Sequence, residues 1–172
     1  MSNIIKEEKA KFLEAYNCFN WEDVNSLGNV IGLIPADKFY PYEETPEDSE
    51  IFATTGTDGC HYCIVYENES ISVYLITPNM INANQTKYLL GHSMSEFLSY
   101  LLPVAGMFEY IFECENIDEY LEEVNNFLSD ISELLQSKTF MNDLKQLKSV
   151  YDFPNITSSD VYNKLKALNL TK

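Results

Sequence analysis

Residues 51–78 have the sequence IFATTGTDGCHYCIVYENESISVYLITP, which predicts three short strands joined by two turns. The segments Cys60 to Tyr66 and Ile71 to Thr77 are rich in β-branched and aromatic residues, which favour strands. Gly56-Thr57-Asp58-Gly59 suits the first turn, because glycine accepts the positive φ angles that tight hairpins need. Glu67 to Ser70 suits the second turn. The pattern predicts a meander of strands at the centre of the fold.

Helical patterns lie on both sides of these strands. The capping box formed by Ser93 and Glu96 predicts a helix that runs to about Leu102, where Pro103 stops it. The other predicted elements are a helix over 4–16, a short helix over 21–27 capped by Asn20 and ended by Gly28, a fourth strand over 86–90, a short strand over 108–112, and helices over 117–135, over 140–150 and after Thr157. Together these elements predict a single α+β domain over residues 1–172.

The net charge is −16, and none of the 11 basic residues is an arginine. Such a chain repels phosphate, so we expect neither nucleic acid nor an anionic membrane as a partner. Two interpretations of the charge stay open, a drifted but well-solvated surface or a surface built for a basic partner. The acidic residues gather in a first cluster (Glu43, Glu44, Glu47, Asp48 and Glu50) and a second cluster (Glu113, Glu115, Asp118, Glu119, Glu122 and Glu123).

The sequence predicts a cytoplasmic protein with reduced thiols. Its first residues, MSNIIKEEKAKF, lack the apolar core of a signal peptide, and no apolar run approaches the length of a membrane span. Disulfides are rare in that compartment.

Two short motifs suggest chemistry, and both have a simpler explanation. Gly91-His92-Ser93-Met94-Ser95 resembles a hydrolase nucleophile elbow, but no histidine follows the serine to complete a triad. Cys60 and Cys63 form a CxxC on a predicted strand, where an odd spacing directs the two side chains to opposite faces. Ser93 is therefore better explained as a helix cap and the cysteines as core residues. We expect no enzyme, no catalytic residue, no cofactor and no metal site.

Residues 21–102 resemble the SMI1/KNR4 (SUKH) superfamily as a divergent bacterial member. The matching pieces are Leu27-Gly28, Ile34-Pro35 with Phe39-Tyr40, the turn over 52–59 with the two strands after it, and the helix over 93–102 with its Glu96-Phe97-Leu98. The resemblance implies an α+β fold with a mixed, mostly antiparallel sheet of about four to six strands, flanked by N- and C-terminal helices. Residues 103–172 form a helical extension beyond it.

The resemblance also implies a binding role, because many bacterial members are immunity proteins that neutralise a polymorphic toxin, often a nuclease. The leading hypothesis is a cytoplasmic immunity protein that blocks a basic toxin domain with its two acidic clusters. A scaffold or regulator of cell-wall and envelope processes, as implied by fungal members, is the second hypothesis. An enzyme of unfamiliar type is the third.

Overall fold

A five-stranded antiparallel sheet forms the centre of the protein in a computed structural model that describes residues 3–17, 19, 22–36, 41–56, 59–67, 69–77 and 85–169. The strands lie in chain order and are β1 (Ile34–Pro35), β2 (Ser49–Thr54), β3 (His61–Glu67), β4 (Ser70–Ile76) and β5 (Lys87–Gly91). The helices are α1 (Asn3–Tyr16), α2 (Leu27–Val30), α3 (Met94–Leu101), α4 (Phe108–Glu113), α5 (Ile117–Asp130), α6 (Ser132–Leu135), α7 (Lys138–Val150) and α8 (Ser158–Asn169). Within these described residues, no helix has the length and apolar character needed to cross a membrane.

The predicted meander is confirmed. The α+β class is confirmed too, with helices before the first strand and after the last strand along the chain. The register of β3 and β4 runs from His61 opposite Ile76 to Glu67 opposite Ser70. Gly56 and Gly59 have φ angles of 86° and 79°, the left-handed conformation that the first turn was expected to need. The fourth strand and the helices after Ser93 and Thr157 are confirmed as well.

The larger core lies between the sheet and the helices and is mainly aromatic. Tyr62 projects from β3, and its ring centroid lies 5.2 Å from that of Phe97 on α3 and 6.3 Å from that of Phe108 on α4. Phe52 on β2 contacts Phe12 on α1, with centroids 5.0 Å apart in an edge-on arrangement. These contacts, favourable for aromatic pairs, hold three helices on one face of the sheet.

The opposite face of the sheet carries a smaller apolar cluster of Cys63, Val65, Tyr74 and Ile76. Side chains two residues apart share a face of a strand, so His61 belongs to this face too. This second face explains why β3 and β4 are buried on both sides. The segment before β2 packs against this second face, where Thr45 and Tyr42 contact His61.

The strand expected over 108–112 is wrong, because these residues form α4. The alternating aromatic residues suggested a strand, whereas the buried positions in the structure are Phe108 and Ile111, three residues apart on one helical face. Phe112 stacks on Tyr88 of β5 with ring centroids 4.0 Å apart. Tertiary packing therefore overrides a local strand pattern here.

The prediction of a short helix over 21–27 is also wrong for residues 22–26, which the structure describes. Residues 22–26 form turns, and α2 begins at Leu27, with Ser26 rather than Asn20 as its cap. The Asp23 side chain accepts a hydrogen bond from the backbone of Asn25 (2.9 Å), which competes with helix formation. Gly28, expected to end the helix, lies inside it, and Asn20 and Trp21 are outside the described residues.

The single helix expected over 117–135 forms two helices in the structure, because α5 ends at Asp130 and α6 begins at Ser132, with Ile131 between them.

The last described residue of α8 closes the outer edge of the sheet. The Asn169 side-chain amide accepts from the Leu89 backbone N–H (2.9 Å) and donates to the Leu89 carbonyl (3.0 Å). This pair of bonds occupies the backbone groups of β5 that a further strand would otherwise use.

We expect Asn169→Ala to destabilise the protein by about 1–2 kcal/mol, because it removes both bonds to Leu89. Urea denaturation followed by circular dichroism measures the change. Asn163→Ala, at an exposed position of the same helix, is the matched control and should change stability by less than about 0.5 kcal/mol. Equal effects of the two substitutions would contradict the edge role of Asn169.

Candidate functional site: an acidic cleft beside the sheet

The first acidic cluster borders a cleft of about 570 Å³, which we call the acidic cleft. Its walls come from α1, from the segment 41–47 and from the start of β2. Three carboxylates line it, those of Glu43, Glu47 and Glu50, and Lys9 is the one lysine among its described lining residues. Tyr42, which is 41% exposed, forms an aromatic part of the wall. The cleft is therefore a partly walled, negatively charged surface.

His61 anchors the acidic segment to the sheet. Its Nδ1 lies 2.9 Å from the Gly59 carbonyl oxygen, which can only accept, so Nδ1 carries the proton. Nε2 of the neutral ring is then an acceptor, and the Thr45 hydroxyl donates to it over 3.0 Å. The Thr45 oxygen in turn accepts from the Tyr42 backbone N–H (3.1 Å). A buried chain of hydrogen bonds thus fixes the middle of the segment.

Tyr42 strengthens this anchor by packing over the first turn of the sheet. Its ring stacks on that of His61 with centroids 6.1 Å apart. A methyl group added at Gly59 would come within 2.6 Å of the Tyr42 hydroxyl oxygen, so the absence of a side chain at this turn admits the tyrosine. At the other end of the segment, Ser49 donates to the Pro46 carbonyl (2.6 Å), and Lys9 pairs with Glu50 (2.9 Å).

The anchor at His61 predicts a pH dependence of stability. Burial lowers the pKa of His61 below 6.5, although the Gly59 carbonyl and the charge of Glu44 oppose the change. Below pH 6.5 the unfolded chain therefore takes up a proton that the folded protein resists, so stability is full above this pH and falls as the pH falls beneath it. We expect the urea midpoint to fall from pH 7.5 to pH 5.5.

Two histidine variants check the source of this slope. His61→Gln should flatten the change in urea midpoint, because it removes the titrating group, while His92→Gln, at an exposed position, should keep it. The carboxylates are common to all three proteins, so their titration cancels in the comparison. A slope that survives in His61→Gln and disappears in His92→Gln would refute the assignment.

The second acidic cluster lies on another side of the protein. All six of its residues are exposed, at the end of α4 and along the first half of α5. α5 packs on α8, and α8 packs on β5, whereas the acidic cleft borders β2. Three strand spacings, roughly 14 Å, separate β2 from β5. The structure therefore does not join the two clusters into one patch.

Part of the second cluster has a structural role. Asn116 caps α5 by accepting from the backbone N–H groups of Asp118 (3.0 Å) and Glu119 (3.1 Å). Glu119 accepts from the Glu115 backbone N–H (2.8 Å), and acidic residues in a first turn also favour the helix dipole. This confirms the capping arrangement that the sequence predicts at Asn116.

Ser93 is a helix cap, as the sequence predicts. Its hydroxyl oxygen accepts from the Glu96 backbone N–H (3.0 Å), and Glu96 accepts from the His92 backbone N–H (2.7 Å). The ring of His92 does not pair with Ser93. It lies beside Ser72, with Nδ1 3.4 Å from the Ser72 hydroxyl oxygen, and the sequence did not predict this pair. Ser72 is 1% exposed, so its oxygen is not accessible to a substrate.

Cys60 and Cys63 lie on opposite faces of the sheet, as their spacing predicts. Cys60 belongs to the core under the helices and Cys63 to the smaller cluster on the other face. Burial raises the pKa of the Cys63 thiol to about 12, so it is protonated at neutral pH. In the part of the chain that the structure describes, no three histidine, cysteine or acidic side chains lie close enough together to hold a metal ion.

Sequence reasoning identified the acidic residues but missed the residues that shape their cleft. Lys9 and Glu50 are 41 positions apart, and Thr45 and His61 are 16 apart. The position of His61, two residues after the turn glycine Gly59, could have indicated the hydrogen bond from its Nδ1 to the Gly59 carbonyl. No neighbouring residue indicates that Thr45 is the partner of its Nε2.

Comparisons with known proteins leave this site to be interpreted from its own geometry. No protein-family model matches the chain, and neither a curated protein nor a solved structure is significantly similar to it.

Proposed function

We propose that this chain is a non-catalytic binding protein that recognises a basic protein partner through the acidic cleft. The observation that carries the proposal is the set of three carboxylates around one walled cleft, in a chain of net charge −16. A lysine or arginine side chain of a partner would find the carboxylates of Glu43 and Glu47 there as charge-assisted acceptors, beside a Glu50 that is paired with Lys9. Tyr42 beside them is the type of residue that often anchors protein interfaces.

The anchoring of the acidic segment supports tight binding. Thr45, Tyr42 and Glu50 tie the segment to His61, to the turn at Gly59 and to Lys9. A surface held in place before binding loses less conformational entropy when the partner arrives. The carboxylates would therefore present a preformed arrangement to a cationic surface.

The partner that we propose is a basic, nuclease-like toxin domain, which makes this chain an immunity protein. A nuclease presents cationic groups to phosphate, and a strongly acidic protein can steer onto that surface and cover it. The resemblance of residues 21–102 to SMI1/KNR4 proteins supports the same role. No reaction by this chain is needed, because steric and electrostatic blockade inhibits the toxin.

The test is to search the genes beside the one that encodes this chain for a toxin domain, and to measure whether this chain inhibits it. We expect a one-to-one complex with a Kd on the order of 1 nM, loss of nuclease activity at equimolar ratio, and protection of cells that express both proteins. Calorimetry and a nuclease assay measure the first two. An active toxin domain that forms no complex at about 10 μM would refute the immunity proposal.

The position of the second acidic cluster favours a second candidate, a scaffold for cell-wall or envelope processes. Exposed carboxylates on α5 lie away from the acidic cleft, so one protein could hold two basic partners at once. Neutralising Glu122 and Glu123 would then release one partner and leave the other bound. Loss of both partners, or of neither, would contradict a scaffold with two separate surfaces.

A further inference from the structure

One side of the acidic cleft is formed by the first half of β2, which has a neighbouring strand on only one edge among the described residues. β1 is two residues long and pairs with Ala53 and Thr54 alone. Residues 49–51 pair with β3 on their other edge, and all three line the cleft. Ala36, the residue after β1, lines the cleft as well. The cleft therefore lies along the part of β2 that β1 leaves unpaired, which we call the open edge.

The backbone of Ile51 faces the open edge rather than β3. Opposite residues of an antiparallel pair alternate between a pair that exchanges two hydrogen bonds and a pair that exchanges none. The Ser49 N–H donates to the Pro46 carbonyl (3.0 Å) instead of to β3. Glu50, the next residue, therefore exchanges the bonds with β3, and the N–H and C=O of Ile51 point away from β3.

The other end of β2 agrees with this direction. The Thr55 N–H donates to the Cys60 carbonyl (3.1 Å), so the backbone groups of Thr55 and Ala53 face β3 and those of Thr54 face β1. The bulge between Ile51 and Ala53 shifts the alternation by one residue. Thr54 and Ile51 therefore use the same edge of β2, Thr54 towards β1 and Ile51 towards the cleft.

An uncovered strand edge can pair with another backbone, because its N–H and C=O groups point outwards. At the far edge of the sheet, the Asn169 side chain occupies these groups on Leu89. Beside Ile51, no strand among the described residues does the same. Residues 49–51 are half-buried and line the cleft, so the open edge can be reached from it.

The charges beside the open edge define the segment that would pair with it. A residue opposite Ile51 directs its side chain to the same face of the sheet as Ile51, which packs on the smaller apolar cluster. The segment 41–47 lies over this face through the contact of Thr45 with His61, and it carries Glu43 and Glu47. These carboxylates favour a basic residue. A strand from a second copy of this chain is disfavoured, because each copy has a charge of −16.

We propose that the acidic cleft binds an extended basic segment of the protein partner as an additional strand on the open edge of β2, with a lysine or arginine opposite Ile51. This inference rests on the proposed function, because it specifies how the partner enters the cleft. The residue opposite Ile51 would exchange two backbone hydrogen bonds with it, and its side chain would bind Glu43 and Glu47. The backbone bonds would supply affinity, and the carboxylates would select a basic sequence.

The probe is the peptide Lys-Val-Lys-Val-Lys, acetylated and amidated at its ends and titrated in about 0.15 M salt to screen nonspecific attraction. Amide NMR signals of the protein report the site. We expect a saturable shift of the Ile51 amide, with a Kd on the order of 1 mM for so short a peptide. The amide of Glu50, which faces β3, should shift less. No saturation by about 20 mM would overturn the proposal.

Backbone methylation of the peptide separates an added strand from general attraction. With lysine side chains directed to Glu43 and Glu47, the lysine amides face β2 and the valine amides face solvent. N-methyl groups on the last two lysines should therefore weaken binding by about tenfold or more, whereas N-methyl groups on the two valines should change it by less than about twofold. The two peptides have the same charge and mass, so equal affinities would overturn the proposal.

This result and the inhibition test of the proposed function are independent. Equal affinities of the methylated peptides would leave a complex with a toxin domain intact and would refute only the added strand. A toxin domain that forms no complex would refute the immunity proposal and would leave the peptide result unchanged.

Substitutions in the protein test the charge selection. Glu43→Gln combined with Glu47→Gln should weaken the unmodified peptide by about tenfold. Glu122→Gln combined with Glu123→Gln removes the same charge from exposed positions of the second acidic cluster and should change the affinity by less than about twofold. Equal weakening by both pairs would overturn the proposal. An Ile51 amide signal that shifts with protein concentration in the absence of peptide would assign the open edge to a second copy and would overturn it too.

Discussion

Neutralising four carboxylates of the acidic segment is expected to slow association with a basic partner by about tenfold to a hundredfold at low ionic strength. The variant changes Glu43, Glu44 and Glu47 to Gln and Asp48 to Asn. Glu43 and Glu47 line the acidic cleft, Glu44 and Asp48 are their neighbours in the chain, and none of the four forms an ion pair with any residue in the described ranges. Their field steers a cationic surface towards the cleft, so removing it lowers the encounter rate. Stopped-flow measurements at several salt concentrations would give the rates.

The salt dependence of the association rate and the stability of the variant are expected to support this interpretation. The difference between natural chain and variant should shrink as salt rises, because exposed charges are screened beyond about 10 Å at 0.1 M ionic strength. Fold stability should change by less than about 0.5 kcal/mol, since three of the four side chains are exposed and the fourth is half-buried. A change in association therefore cannot come from unfolding.

The matched control removes the same charge elsewhere. Glu113, Glu115, Glu122 and Glu123 are exposed and belong to the second acidic cluster, and replacing all four with Gln changes the net charge equally. It also leaves Glu119, which supports the start of α5, in place. If both variants slow association to the same extent, net charge rather than the acidic cleft governs the encounter.

Gly106→Ala is expected to destabilise the protein by more than about 3 kcal/mol, and a full loss of folding is within this expectation. The added methyl group would lie 2.2 Å from the Ile31 carbonyl oxygen, and a φ of +80° is unfavourable for alanine. The obstacle is backbone on both sides, so no side chain can rotate away. Urea denaturation of the two proteins measures the difference.

Ala105→Gly is the control at the neighbouring position. Ala105 already has a φ of 46°, so glycine relieves strain there while increasing the freedom of the unfolded chain. These effects oppose each other, and the net change should stay within about 1 kcal/mol. If Gly106→Ala were as stable as Ala105→Gly, the close contact between the turn before α4 and the residue after α2 would be refuted.

Local signals were sufficient for most of the fold. Residues 51–78 specify three strands through β-branched runs separated by glycine turns, and Ser93 and Asn116 specify helix starts through capping groups only three residues away. In each case the atoms that interact are close in the chain. The strand expected over 108–112 failed through tertiary packing, because Phe112 of α4 stacks on Tyr88. The helix expected over 21–27 failed for a local and a distant reason: Asp23 accepts from the Asn25 backbone, and the Leu27 N–H at the start of α2 donates to Asp143, 116 residues away.

The candidate sites depended on tertiary structure to a greater degree. The sequence identified the acidic residues of the first cluster, but not that Lys9 and Tyr42 would enclose them in a cleft. It predicted a strand over 60–66, but the packing of Tyr62 on that strand against Phe97 and Phe108 depends on α3 and α4, which lie far from it in the chain.

By itself, the sequence determined the α+β class, the central meander, most helix boundaries and a strongly acidic surface, because periodicity, turn chemistry and net charge are properties of neighbouring residues or of composition. Only the tertiary structure decided that the two acidic clusters lie on different sides and that His61 holds the acidic segment. Those features are made by contacts between residues distant in the chain, and their geometry is set by how helices and sheet pack.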